Sequence, residues 1–122
     1  MPSPARLEAF ITAVESGASV QTIEDYYTQN ASMRENQAEP RRGRAALMAH
    51  EAAALARTAW VVARCVRPVL VNGDHVVIRW IFDATGTDGR TLHIEELAWQ
   101  RWEGERIAEE EFFYDPAQMA PA

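Results

Sequence analysis

His93 and Glu95 stand two positions apart in a stretch with the alternation of a β-strand, so both side chains point to one face, about 7 Å apart. With Asp88-Gly89 and Gly104-Glu105 as two-residue hairpin turns, residues 75–116 read as three antiparallel strands. In that register Trp80 faces Leu97, Ile78 faces Trp99, Leu97 faces Phe112, Glu95 faces Tyr114 and Trp99 faces Glu110. One face then gathers Val76, Ile78, Trp80, Phe82, Leu97, Trp99, Phe112 and Tyr114, with His93, Glu95 and Glu110 as its polar exceptions. A carboxylate among aromatic side chains must be paired, neutralised by a raised pKa or turned toward a cavity. The expectation is a pocket where Glu95, its pKa raised by desolvation, works with His93 and the Tyr114 hydroxyl, and where Glu110 is a further acid. Such a set moves protons, as an isomerisation, an aldol-type cyclisation or a dehydration requires. None of these needs a cofactor.

Other chemistries lack their residues. The chain has no lysine, which excludes Schiff bases and lysine general bases. Its single cysteine, Cys65, cannot form an internal disulfide and fits a small buried hydrophobe. None of Ser3, Ser16, Ser19 and Ser32 sits in a Gly-x-Ser-x-Gly elbow. His50, His75 and His93 form no His-Glu-x-x-His pattern, so no metal site is expected. A net charge of −6 argues against nucleic acid and anionic membranes as partners, and Arg41-Arg42-Gly43-Arg44 has no glycine-rich phosphate loop beside it. The start, Met1-Pro2-Ser3-Pro4, lacks the basic and apolar regions of a signal peptide, and no apolar run approaches the length of a membrane span. A cytoplasmic protein is expected.

The 122 residues suit one domain over positions 1–122, able to bury about two-thirds of its unfolded surface. Leu7, Phe10, Ile11 and Val14 recur at helical spacing between Pro4 and Gly17. Ser19 is the expected N-cap of a second, shorter helix that presents Val20, Ile23 and Tyr27. Residues 30–42 read as a strand fragment or loop, and Arg44–Arg57 as a third helix carrying Leu47, His50, Glu51, Ala54 and Leu55. Ala59–Val71, interrupted by Pro68, reads as an edge strand or a bulged one, turned by Asn72-Gly73 into the meander. Helices first and strands afterwards predict an α+β fold in which three helices pack in the concave face of a strongly curved antiparallel sheet, leaving part of that face as a cavity. The opposite face carries Val77, Ile81, Ala98 and Trp102 among charges. It is expected to form a homodimer in which Arg79 meets Glu96 or Glu111.

This order of elements resembles the nuclear-transport-factor-two-like superfamily, in particular its SnoaL-like and ketosteroid-isomerase-like branches, over nearly the whole chain. The resemblance is carried by Tyr26–Glu35, Gly43–Leu47, Asn72–Trp80, Asp88–Arg90, Gly104–Ile107 and Phe112–Pro116. It implies a cone-shaped, cystatin-like roll and a hydrophobic small-molecule ligand. It sets Glu35 where the isomerases keep their carboxylate base and Tyr114 at an aromatic pocket position. It also sets Phe10 where they have an oxyanion-hole tyrosine and Leu97 where they have a protonated aspartic acid, which argues against steroid isomerisation. The candidate catalytic residues are therefore Glu35, Glu95, His93, Tyr114 and Glu110. Phe10, Tyr27, His50, Trp80, Phe82, Leu97, Trp99 and Phe112 are the candidate lining of the pocket. The function expected is acid–base catalysis on a hydrophobic carbonyl-bearing metabolite; a non-catalytic binding or dimerisation module and an epoxide hydrolase are the alternatives.

Overall fold

Local signals set the helices. The computed structural model describes residues 1–119. Helix α1 (Pro4–Glu15) starts with proline in its first turn, and the Ser3 hydroxyl accepts the Arg6 N–H at 3.1 Å. It ends before Gly17, whose φ of +85° suits a residue without a Cβ. Helix α2 (Ser19–Tyr26) begins one residue earlier than expected: Ser19 is its first residue and Ala18 its N-cap, with no side-chain cap. Helix α3 (Arg44–Ala56) follows Gly43.

The strands are β1 (Tyr27–Glu35), β2 (Arg41–Arg42), β3 (Thr58–Asn72), β4 (His75–Gly86), β5 (Thr91–Glu103) and β6 (Arg106–Phe113). They form one sheet in the order β2-β1-β6-β5-β4-β3. β3 is an edge, and its register shifts between Val66 and Leu70, across the N–H-less Pro68. The segment expected to be a fragment or loop is a full strand, β1, which pairs parallel to β6 inside an otherwise antiparallel sheet. Leu7, Phe10, Ile11, Ile23 and Leu47 of the helices bury against Val76, Ile78, Trp80, Ala98, Trp102 and Ile107 of the sheet. The fold is α+β, with the helices on one sheet face.

The register around β5 departs from expectation at both ends, each time by a single residue. The Asp88-Gly89 turn is a three-residue loop, Thr87-Asp88-Gly89, closed by the Gly86 N–H on the Arg90 carbonyl at 2.8 Å, with Gly89 at φ +83°. That is the turn-plus-αL form of a hairpin loop, and it pairs Trp80 with Glu96 and Ile78 with Ala98. Gly104-Glu105 is the two-residue turn expected, since Glu103 pairs with Arg106 and Trp102 with Ile107. A bulge at Ala108 then pairs Arg101 with Glu109, Gln100 with Glu110 and Ala98 with Phe112. β4 and β6 keep their predicted faces and β5 is turned over. Glu96, Ala98, Gln100 and Trp102 point inward, while His93, Glu95, Leu97 and Trp99 point outward.

Candidate functional site

The inner face of the sheet brings together carboxyl groups from three strands. β1 delivers Glu35 at its end, opposite Phe112 of β6. The Tyr114 hydroxyl donates to Glu35 Oε2 at 2.8 Å, and Arg41 Nη1 stands 3.8 Å from Glu35 Oε1. Asn36, in the left-handed region at φ +48°, holds this junction by accepting the Tyr114 N–H at 3.0 Å. The Glu35 side chain is 42% exposed, so it can meet a ligand. Glu96 lies on the same face, pairs with Trp80, and is mostly buried.

Glu110 is enclosed at 2% exposure. Its Oε1 accepts the Tyr27 hydroxyl in a very short hydrogen bond, and its Oε2 accepts the Gln100 amide at 2.6 Å. The Trp102 indole N–H donates to Gln100 Oε1 at 2.9 Å and so fixes which end of that amide faces Glu110.

Electrostatics separates these acids. Burial pushes Glu96 up to about 8, and the charges of Glu110 and Glu35 add to the rise, so its carboxyl holds a proton at neutral pH. Burial pushes Glu110 up to about 7, with the charge of Glu51 on α3 adding to the rise. The hydrogen bonds from Tyr27 and Gln100 oppose it by favouring the ionised form. Tyr114 is pushed up to about 12 by burial and by Glu35, and Tyr27 well above its ordinary value by burial and Glu110, so both phenols stay neutral donors. Glu51 also lines a cleft of about 140 Å³ with Val14, Leu55, Val61, Ala63 and Phe82, between the helices and the β3–β4 end of the sheet.

The other expected site residues fall into three groups. Trp80, Phe82 and Phe112 face inward, with Trp80 and Phe82 rings 6.0 Å apart. Phe10 and Tyr27 are core residues, Phe10 meeting Tyr26, Tyr27 and Trp102 edge to face. The third group is turned away from the site by the register of β5 or by position. His93 pairs with Asp83 at 2.6 Å on the outer face, and Glu95 lies 3.4 Å from Arg79 there. Leu97 is 45% exposed, Trp99 lies against His75 with the ring planes tilted by 42°, and His50 is exposed on α3. The acid expected at Glu95 is thus its neighbour Glu96.

Sequence reasoning missed Glu96, Gln100, Trp102 and Glu51. One local signal for Glu96 existed: Gly89 as the third residue after Gly86 marks a three-residue loop as readily as a two-residue one. A wider concavity of about 570 Å³ lies on the outer face beside Trp60, Val62, Asp83 and His93. Its titratable pair is solvated, so the inner cluster is the better site. Among the described residues, no group of three or more His, Cys, Asp or Glu side chains is placed to hold a metal ion, and no helix is long and apolar enough to cross a membrane.

The profile of the SnoaL-like domain family matches residues 7–110 of the chain. Among solved structures, an NTF2-like protein of unknown function from Burkholderia pseudomallei superposes with a TM-score of 0.80 at 13% identity, over 94% of this chain and 92% of that one. A putative SnoaL-like polyketide cyclase from Mesorhizobium loti gives 0.77 at 20% identity, over 93% of this chain and 100% of that one. A protein of ketosteroid isomerase-like fold from Catenulispora acidiphila, solved in complex with trimethylamine, gives 0.77 at 16% identity, over 93% and 87%. No curated protein matches the chain.

Proposed function

The chain belongs to the SnoaL-like domain family, and from that premise we propose that it is a cofactor-independent acid–base enzyme acting on a hydrophobic, carbonyl-bearing small molecule. The observation that carries this reading is the pairing on one sheet face of an accessible carboxylate, Glu35, with a carboxyl that keeps its proton at neutral pH, Glu96. Glu35 takes a proton from the carbon next to the substrate carbonyl. Glu96 donates a hydrogen bond, or its proton, to the oxygen on which negative charge develops. Tyr114 orients Glu35 through its 2.8 Å hydrogen bond, and Trp80, Phe82 and Phe112 offer apolar surface. From the enol or enolate, return of the proton to another carbon is an isomerisation. Expulsion of a β-hydroxyl as water is a dehydration, and attack on a second carbonyl is a cyclisation. The neighbour solved in complex with trimethylamine supports the binding of a small molecule.

The test uses deuterium. With 1-tetralone and a set of cyclic ketones and 1,3-diketones in D₂O, the protein is expected to speed exchange at the α-carbon above the buffer rate, read by proton NMR. No acceleration across the set overturns the enzymatic reading, and ligand binding without exchange makes the chain a binding module.

The same reading includes a homodimer of this single domain in the cytoplasm. Trp60, Val62, Leu70, Leu97 and Phe113 stand exposed on the outer sheet face, apolar surface that a second copy of the chain would bury. The parent is expected to scatter light as a dimer at about 10 µM, and Val62→Asp with Leu97→Asp to halve the mass. A monomeric parent refutes the assembly.

A further inference from the structure

Glu110 is the only charged side chain among the described residues that is buried outright, and the acid–base scheme above gives it no contact with substrate. Its surroundings are ordered in one sense. The indole N–H of Trp102 is a donor only, so it takes the oxygen of the Gln100 amide and leaves the NH₂ group for Glu110. Tyr27 supplies a hydroxyl to the other carboxylate oxygen. Trp102, Gln100 and Tyr27 are all buried; the donors of Gln100 and Tyr27 converge on Glu110, and Trp102 holds the Gln100 amide in place. A carboxyl that accepts at both oxygens has no proton to offer, so the ladder is built for the ionised form.

We propose that Gln100, Trp102 and Tyr27 are positioning residues that hold Glu110 as a buried carboxylate, and that this fixed charge reinforces the effect of burial on Glu96, the acid of the site. The proposal rests on the role given to Glu96 above. Glu96 lies on the same face of β5 as Gln100, the cross-strand partner of Glu110, and a negative charge in a buried interior acts on an acid there with little water to screen it. The groups that face the pair are few. Glu35, carried by β1 with Arg41 of β2 beside it, adds its charge to that of Glu110 on Glu96. Tyr114, which follows β6, stays neutral, and Glu51 of α3 raises Glu110 together with the burial of that group. Burial and Glu51 thus push Glu110 toward its neutral form, and the donors from Tyr27 and Gln100 push back. Removing one donor therefore shifts Glu110 toward its neutral form.

Tyr27→Phe removes one donor and leaves the carboxylate and the ring in place. With assigned ¹³C carboxyl resonances, the Glu110 midpoint is expected to rise and the Glu96 midpoint to fall by about one pH unit, so that Glu96 loses its proton first. Trp102→Phe frees the Gln100 amide to turn over and should move both midpoints the same way. Glu110→Gln, which removes the charge itself, is expected to lower the Glu96 midpoint as well, and any one of these variants that folds suffices for the test. A purely structural role predicts lower stability with the Glu96 midpoint unchanged, and that result in a folded variant overturns the proposal. Failure of the enzymatic reading is separate. It appears as unaltered α-carbon exchange in Glu35→Gln, whatever Glu96 does on titration.

Discussion

Replacing Glu35 with Gln is expected to slow deuterium exchange at the ketone α-carbon by about 10²–10⁴-fold, the usual worth of a general base. The amide keeps the shape of the side chain, and its oxygen still accepts the Tyr114 hydroxyl that now reaches Glu35 at 2.8 Å. Because the side chain is 42% exposed and its ion pair with Arg41 is long, at 3.8 Å, the fold should lose no more than about 0.5 kcal/mol. Rate and stability therefore come apart. NMR exchange rates measured beside a urea titration of the same sample check both, and an exchange rate equal to that of the parent removes Glu35 from the chemistry. Tyr114→Phe is expected to act in the same direction by a smaller factor, since it frees Glu35 to rotate without removing the base.

The second large effect is a loss of stability as pH rises. Glu96 and Glu110 titrate at the ordinary glutamate value of 4.5 when unfolded, and at about 8 and about 7 when folded. Between those values the native chain holds protons that the unfolded chain has released, so the unfolding free energy falls with increasing pH. The contribution is fully present below pH 4.5 and lost once pH passes about 8. Each tenfold difference in proton affinity between the two states is worth about 1.4 kcal/mol. Because the two acids oppose each other's ionisation, the loss expected is on the order of 2–4 kcal/mol rather than the full value for each. The lowered carboxylates, Glu8 beside Arg67 and Asp74 beside the N-terminal amine, act below this window and with the opposite sign. Glu96→Gln should match the parent at pH 4.5 and exceed it by about 2 kcal/mol at about pH 8.5. Urea unfolding at acidic, neutral and mildly alkaline pH decides the matter. A flat parent profile would mean that water reaches both acids.

Elements whose signals are local were legible in the sequence. Pro4 and Gly17 bracket α1, Gly43 precedes α3, Pro68 sits at the irregularity of an edge strand, and the alternation over 75–113 is that of a meander. The inward faces of β4 and β6 followed from that alternation, which put Glu110 and Tyr114 on the correct side. The junction of Glu35 with Tyr114 came only through resemblance, because its hydrogen bond joins residues 79 apart in sequence and depends on the parallel pairing of β1 with β6. The face of β5 was decided by tertiary structure alone. The run Glu95-Glu96-Leu97-Ala98-Trp99-Gln100-Arg101-Trp102 carries apolar and polar residues on both of its faces, so either orientation satisfies the hydrophobic pattern. The three-residue loop at Thr87–Gly89 and the bulge at Ala108 each shift the register by one residue. The shift buries Ala98 and Trp102 against the helices in place of Leu97 and Trp99, and with them Glu96 becomes an inward, mostly buried acid and Glu95 a surface charge. A strand has a side-chain period of two, so one residue of register is the smallest error a sequence reading can make, and it exchanges the site for the surface.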